Sequence, residues 1–84
     1  MSKIADLNPT DGRKSFYGKA YVARRMDGRL VLVSYGTEVA EYADGKVRRL
    51  WAGKSATTTR HIAAFLDYVG SDMTTREYNA MQAA

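Results

Sequence analysis

The sequence predicts an α+β fold: a four-stranded antiparallel β-meander followed by two C-terminal helices packed on one face. Three observations carry this expectation. From Phe16 to Trp51, short β-prone runs alternate with turn signals. Asp-Gly separates such runs twice, at Asp27-Gly28 and Asp44-Gly45, and this dipeptide suits a type I′ hairpin, whose two central residues both need positive φ. After Gly53 the apolar period lengthens from two to that of a helix, with Ile62, Phe65, Leu66 and Val69 on one stripe.

The elements follow in chain order, within one domain spanning 1–84. Residues 1–15 hold the only proline and an Asp-Gly but no periodicity, so they read as an irregular N-terminal arm, pinned by Ile4 and Leu7. The meander occupies 16–52, as four runs: "GKAYVARRM", "RLVLVSY", "EVAEYA" and "KVRRLW". The two helices occupy 55–84. Ser55, Thr57 and Thr58 all suit the N-cap of the first helix, and Gly70 suits the residue just past its end. The second helix, about Thr75 to Gln82, opens with a capping box from Thr74 to Glu77 and a Met73–Tyr78 staple. Its end is expected to fray at Ala83 and Ala84.

Composition narrows the function. The 84 residues allow one small domain, and 45% hydrophobic with 26% charged residues is the balance of a folded globular chain. There is no cysteine and a single histidine, which excludes thiolate zinc sites and leaves no metal-ligand spacing. The longest apolar run, Leu30 to Val33, cannot span a bilayer, and no signal-peptide pattern opens the chain. A cytoplasmic protein without membrane contact is expected. A net charge of +4 favours an acidic partner surface or nucleic acid.

Gly53-Lys54-Ser55 resembles the end of a phosphate-binding loop, but the earlier glycine of G-x-x-x-x-G-K-[ST] is replaced by Arg48. The segment therefore reads as a helix start. Free N–H groups there, close to Lys54, Thr57, Thr58, Arg60 and His61, form a candidate anion site for a phosphate or a carboxylate. His61 has no second histidine and no adjacent nucleophile or orienting carboxylate in the sequence. Packing at the seam of helix and sheet, with one ring nitrogen bonded to backbone, is its expected role. With no carboxylate pair and no cofactor loop either, a non-enzymatic protein without cofactor or metal is expected.

The strands pose a supply problem. With two-residue turns, Met26 faces Arg29 and Ala43 faces Lys46; a Gly36-Thr37 turn sets Tyr35 opposite Glu38. One face then carries Tyr21, Ala23, Leu30, Leu32, Ser34, Val39 and Leu50. The other carries Val31, Val33, Tyr35, Tyr42, Val47 and Trp51 beside Arg24 and Arg49. Both are apolar, yet the helices suffice for one. The leucine-rich face is expected beneath the helix, leaving Arg24, Tyr35, Tyr42, Arg49 and Trp51 as a binding surface. In the alternative, these aromatics are the core and Tyr21, Arg25 and Arg48 point outward. The uncovered face calls for the arm, a second copy of the chain or a partner.

Residues 33–66 also resemble a family of small uncharacterised proteins encoded by phages and their relatives. The shared pattern is Ser34-Tyr35-x-Thr37-x-Val39-Ala40, Asp44-Gly45, Trp51, Ser55, Thr57-Thr58, Arg60-His61-Ile62 and Phe65-Leu66. The resemblance implies a phage or mobile-element gene with an accessory role in the host cytoplasm. The function expected is docking on a host protein or protein complex, an anti-defence or anti-CRISPR inhibitor being one form. The alternatives are a small basic nucleic-acid-binding protein that uses the same aromatic and arginine sheet surface, and a homodimeric structural accessory protein.

Overall fold

A computed structural model describes residues 1–83; Ala84, and with it part of the expected fraying, lies outside the described residues. Five strands form one antiparallel sheet in the order of the chain: β1 (Ser2–Asp6), β2 (Ala20–Arg24), β3 (Leu30–Ser34), β4 (Thr37–Ala43) and β5 (Lys46–Arg49). Two helices follow, α1 (Ala56–Tyr68) and α2 (Thr75–Ala80). The α+β class is as expected, but the sheet has five strands rather than four.

The additional strand comes from the supposedly irregular arm. β1 pairs with β2, with a register shift between Lys3 and Ala5. Leu7 then turns inward, 5% exposed, its N–H donating to the Ala20 carbonyl at 3.0 Å. Ile4, the other expected anchor, is left exposed. No helix among the described residues is long and apolar enough to cross a membrane.

Hairpin loops decide which side chains face the helices. At Asp44-Gly45 both φ angles are positive and Ala43 pairs with Lys46, so the expected two-residue turn forms. At Asp27-Gly28 the loop is one residue longer. The Arg25 N–H donates to the Arg29 carbonyl at 2.8 Å, the Gly28 N–H to the Arg25 carbonyl at 2.9 Å, and Gly28 sits at φ +93°. That is a three-residue loop closed by a glycine bulge. Arg24 consequently faces Leu30 instead of Met26 facing Arg29, and a one-residue shift turns a whole strand over relative to its neighbour. The middle turn is Tyr35-Gly36 rather than Gly36-Thr37, with Ser34 opposite Thr37 and a bulge at Val39.

The helix-side core therefore mixes the two expected faces. It takes Ala20 and Val22 from β2, Leu32 from β3, both Val39 and Ala40 from the bulge, and Val47 from β5, with Leu30, Tyr42 and Trp51 packed at its margin. Ile62, Phe65 and Leu66 of α1 close it from above, joined by Tyr78 of α2. Each such large side chain contributes about 1.5–3 kcal/mol on burial.

The second face is closed by the chain itself. Ala23, Val31 and Val33 are buried there, flanked by Tyr21 and Leu50. Glu41, 4% exposed, stands among three arginines: Arg25 at 2.8 Å, Arg29 at 3.3 Å and Arg48 at 3.3 Å, and Arg25 also reaches Glu38. Arginine stems cover apolar surface while their heads stay wet, and three cations offset the cost of burying one carboxylate. Tyr21 and Leu50 pack against this smaller cluster, and an ion-paired lattice centred on Glu41 adjoins it in the strand register.

Both helices are terminated by local chemistry. Ser55 caps α1, its hydroxyl accepting from the Thr58 N–H at 3.0 Å. Gly70, at φ +72°, and Ser71 return N–H bonds to Asp67 and Leu66, the paired bonds of a Schellman ending. The Thr74–Glu77 capping box is present on both sides, and α2 stops two residues before Gln82.

Candidate functional site

The expected sheet surface of Arg24, Tyr35, Tyr42, Arg49 and Trp51 is not assembled. Tyr42 and Trp51 are half-buried against the helix-side core. Arg49 is 7% exposed and spends its guanidinium on main-chain carbonyls. It donates to Trp51, Ala52 and Gly53 of the following loop and to Asn79 and Met81 at the end of α2, at 2.8–3.2 Å. Arg24 is exposed at the end of β2, opposite Ser2. Only Tyr35 faces solvent as an aromatic, 61% exposed at a turn. The cause is the longer Asp27-Gly28 loop and the displaced middle turn, which reassign the faces.

A different cluster forms at the opposite end of the sheet from the Asp-Gly loops. A cleft of about 330 Å³ is lined by Lys14, Ser15, Phe16, Tyr17, Lys19, Tyr35, Thr57, Arg60 and His61. Three of the five residues of the expected helix-start site, Thr57, Arg60 and His61, lie here. Thr58 is buried instead, and Lys54 is exposed but outside the lining.

Two Tyr-Gly turns build its walls. Tyr17 and Gly18 have φ of 51° and 75°, and the Lys19 N–H closes that turn on the Phe16 carbonyl at 2.9 Å. Tyr35 and Gly36 have φ of 50° and 77°. The Tyr35 N–H donates to the Lys19 carbonyl at 2.8 Å, locking the two turns side by side. Positive φ at both central positions is normally met by Asn-Gly or Asp-Gly, and a bulky residue there is strained. Both strained tyrosines leave their rings in solvent, 73% exposed at Tyr17 and 61% at Tyr35.

His61 makes the floor. It is 1% exposed, edge-on to Phe16 with ring centroids 4.3 Å apart, and 5.6 Å from the Tyr35 ring. Its Nδ1 lies 2.8 Å from the Ser34 hydroxyl, so the ring is held by a side chain rather than by backbone as expected. Burial, reinforced by the neighbouring Arg60 charge, holds its pKa below the ordinary value. Ser34 is itself buried and outside the lining, so the pair presents a positioned imidazole and not an accessible hydroxyl.

Charge is concentrated here. No carboxylate lines the cleft. The nearest, Asp11, sits on one edge of the Arg60 guanidinium, at 2.8 Å from Nε and 3.3 Å from Nη2. That bond, with help from the Arg13 N–H, lowers the Asp11 carboxyl to about 2. Lys14 and Lys19 have no ion-pair partner among the described residues. Sequence reading missed Lys14, Ser15, Phe16, Tyr17 and Lys19. Its signal was present in "RKSFYGK", where cations interleave with aromatics and a glycine.

This geometry defines a small α+β protein with a basic, aromatic-walled cleft at one end of a helix-covered meander. The chain belongs to a family of unknown function (DUF8033), whose model matches residues 5–80. No match was found among curated proteins or solved structures.

Proposed function

We propose that this chain is a non-enzymatic binding module that holds single-stranded nucleic acid at the basic, aromatic-walled cleft. Bases stack on the exposed rings of Tyr17 and Tyr35, and phosphates lie against Lys14, Lys19 and Arg60. One observation carries the reading: two tyrosines, each in a turn position that disfavours them, line one cleft from turns joined by a main-chain hydrogen bond, and both are exposed. Strained backbone that a fold retains beside a cleft points towards use. Aromatic faces beside unpaired cations are the parts of a single-strand platform. Docking on a host protein and the nucleic-acid alternative were both expected on a sheet surface whose members lie apart, so the present reading rests on the cleft alone. The phage-like resemblance adds a mobile-element setting, which the genomic neighbourhood of the gene tests.

Fluorescence polarisation with labelled single-stranded DNA and RNA, across a salt series, tests the binding. Three phosphate contacts predict a log–log salt slope of roughly −2. The Lys14→Ala/Lys19→Ala double variant should weaken binding while leaving the unfolding midpoint in place. Absence of binding to either nucleic acid at low salt overturns the proposal, and an acidic protein surface then becomes the partner to seek.

A further inference from the structure

The buried histidine beneath the cleft carries information of its own. Among the described residues no buried side-chain nitrogen or oxygen lacks a partner, and Nδ1 is the only ring nitrogen of His61 that has one. Nε2 therefore keeps the slight solvent contact left to this 1% exposed residue, and His61 is among the residues that line the cleft. The Ser34 hydroxyl has the same ring nitrogen as its single hydrogen-bond partner. If Nδ1 carried the ring proton, the buried hydroxyl would keep its own proton without an acceptor; the arrangement that satisfies both groups has Ser34 donating to Nδ1 and the neutral ring protonated on Nε2.

Other donors converge on the same space. Asp11 occupies Nε and Nη2 of Arg60, which leaves Nη1 unbonded. Thr57 joins the lining from the first turn of α1, where main-chain N–H groups have no intrahelical acceptor. Lys14 and Lys19 complete the rim. An internal phosphodiester offers two free oxygens and one charge. A phosphate monoester offers three strong acceptor oxygens and about −1.5 to −2 charges near neutral pH. The donor set matches the second. The cleft volume of about 330 Å³ lies at the small end of the range for ligand pockets, about 300–1,000 Å³, which suits a chain end rather than a strand running through.

Building on the nucleic-acid reading above, we infer that the cleft floor is a phosphate-monoester subsite, formed by the Nε2–H of His61 and the free Nη1 of Arg60. Under that reading its occupant is the phosphorylated end of the strand. Ser34 is a positioning residue that fixes the tautomer.

The test uses three probes: oligonucleotides of one sequence with a 5′-phosphate, with a 3′-phosphate or with hydroxyl ends, and inorganic phosphate alone. Affinity is read by polarisation and the His61 ring by ¹⁵N NMR. In the free protein at neutral pH, Nε2 should be the protonated nitrogen. A phosphorylated end should bind roughly tenfold more tightly than hydroxyl ends, the size of one or two charge-assisted hydrogen bonds. Inorganic phosphate should move the Nε2 resonance. Ser34→Ala should redistribute the tautomers and erase the preference for phosphorylated ends, while hydroxyl-ended strands bind as before.

Equal affinities for all ends, with no movement of Nε2, overturn the subsite and leave strand binding intact. Movement with inorganic phosphate but no strand binding keeps the subsite and overturns the nucleic-acid reading. An Nδ1-protonated ring in the free wild-type protein leaves no Nε2–H to donate and overturns the subsite together with the role of Ser34, whether or not the alanine variant folds.

Discussion

Arg49 Nη1 donates to the main-chain carbonyl of Asn79 at 2.8 Å, tying the last strand of the sheet to the end of a helix thirty residues further on. α2 has only six residues, too few to persist without tertiary support. Its last turn leaves carbonyls unpaired, and the guanidinium collects two of them, at Asn79 and Met81. The remaining donors hold the Trp51–Gly53 loop. The charge also lies 5.3 Å from the centre of the Tyr78 ring. One buried cation thus fixes both segments that follow the sheet.

Replacing that cation tests its weight. Lysine has three donors on one atom and cannot reproduce a planar five-donor fork. Arg49→Lys should cost about 1–3 kcal/mol, and Arg49→Ala at least about 3 kcal/mol, because several carbonyls lose their partner together. Urea denaturation measures both. Amide exchange should show α2 opening ahead of α1 in the lysine variant. Equal protection in both helices would remove the clip from the account.

Gly53 makes a second local prediction. A Cβ placed there would lie 2.1 Å from Cζ2 of the Trp51 indole. The constraint is steric and not conformational, since the ring lies directly against the glycine. Gly53→Ala should push the indole from its seat and cost about 1–3 kcal/mol, the usual penalty of overpacking. Trp51 is the only tryptophan, so its emission reports the displacement directly, moving to longer wavelength. Unchanged emission and an unchanged midpoint would mean the ring has room to spare.

These two positions show where sequence reading succeeds and where it stops. The Ile62–Val69 stripe, the Gly70 ending and the Thr74–Glu77 box were legible because each acts within one or two helical turns. Strand register was not. Asp27-Gly28 and Asp44-Gly45 are the same dipeptide, yet one closes a three-residue loop and the other a two-residue turn. That single residue decides which face Tyr21, Val22 and Ala23 occupy. β1 escaped notice because its pairing partner lies beyond a long irregular stretch. The cleft escaped for a related reason. Tyrosine is not a turn former, so neither Tyr17-Gly18 nor Tyr35-Gly36 read as a turn. Only the fold brings Lys14 and Lys19 to the start of α1.

Stability should depend on pH through His61. Its folded pKa lies below the ordinary 6.5, because burial and then the Arg60 charge disfavour the imidazolium. The groups that face it are Ser34, Phe16, Tyr35 and Arg60, with Lys14 and Lys19 across the cleft and Asp11 held on Arg60. As pH falls below 6.5, the unfolded chain takes up a proton that the folded chain resists. Stability is therefore full above that value, declines below it, and levels off once pH passes the folded pKa. Asp11 adds a separate loss further down, between its ordinary 3.8 and about 2, as its bond to Arg60 is broken. Urea midpoints of the wild type and His61→Gln, compared across this range, separate the two. The upper decline should vanish in the variant, and its persistence would assign it to another group.

The strained tyrosines make the sharpest prediction because stability and binding should move in opposite directions. Tyr35, at φ 50°, stands where a type I′ turn favours asparagine. Its ring is 61% exposed, so removing it takes little from the core. Tyr35→Asn should therefore stabilise the fold, by about 1 kcal/mol from relief of the left-handed strain. The same substitution deletes a stacking face and should weaken single-strand binding by about 1–3 kcal/mol. Tyr17→Asn, at φ 51° in the partner turn, should behave alike. A fold kept marginally less stable for the sake of an open ring is the pattern expected of a working surface. Two variants that gain stability and bind nucleic acid as well as the wild type would show that the tyrosines serve something other than stacking.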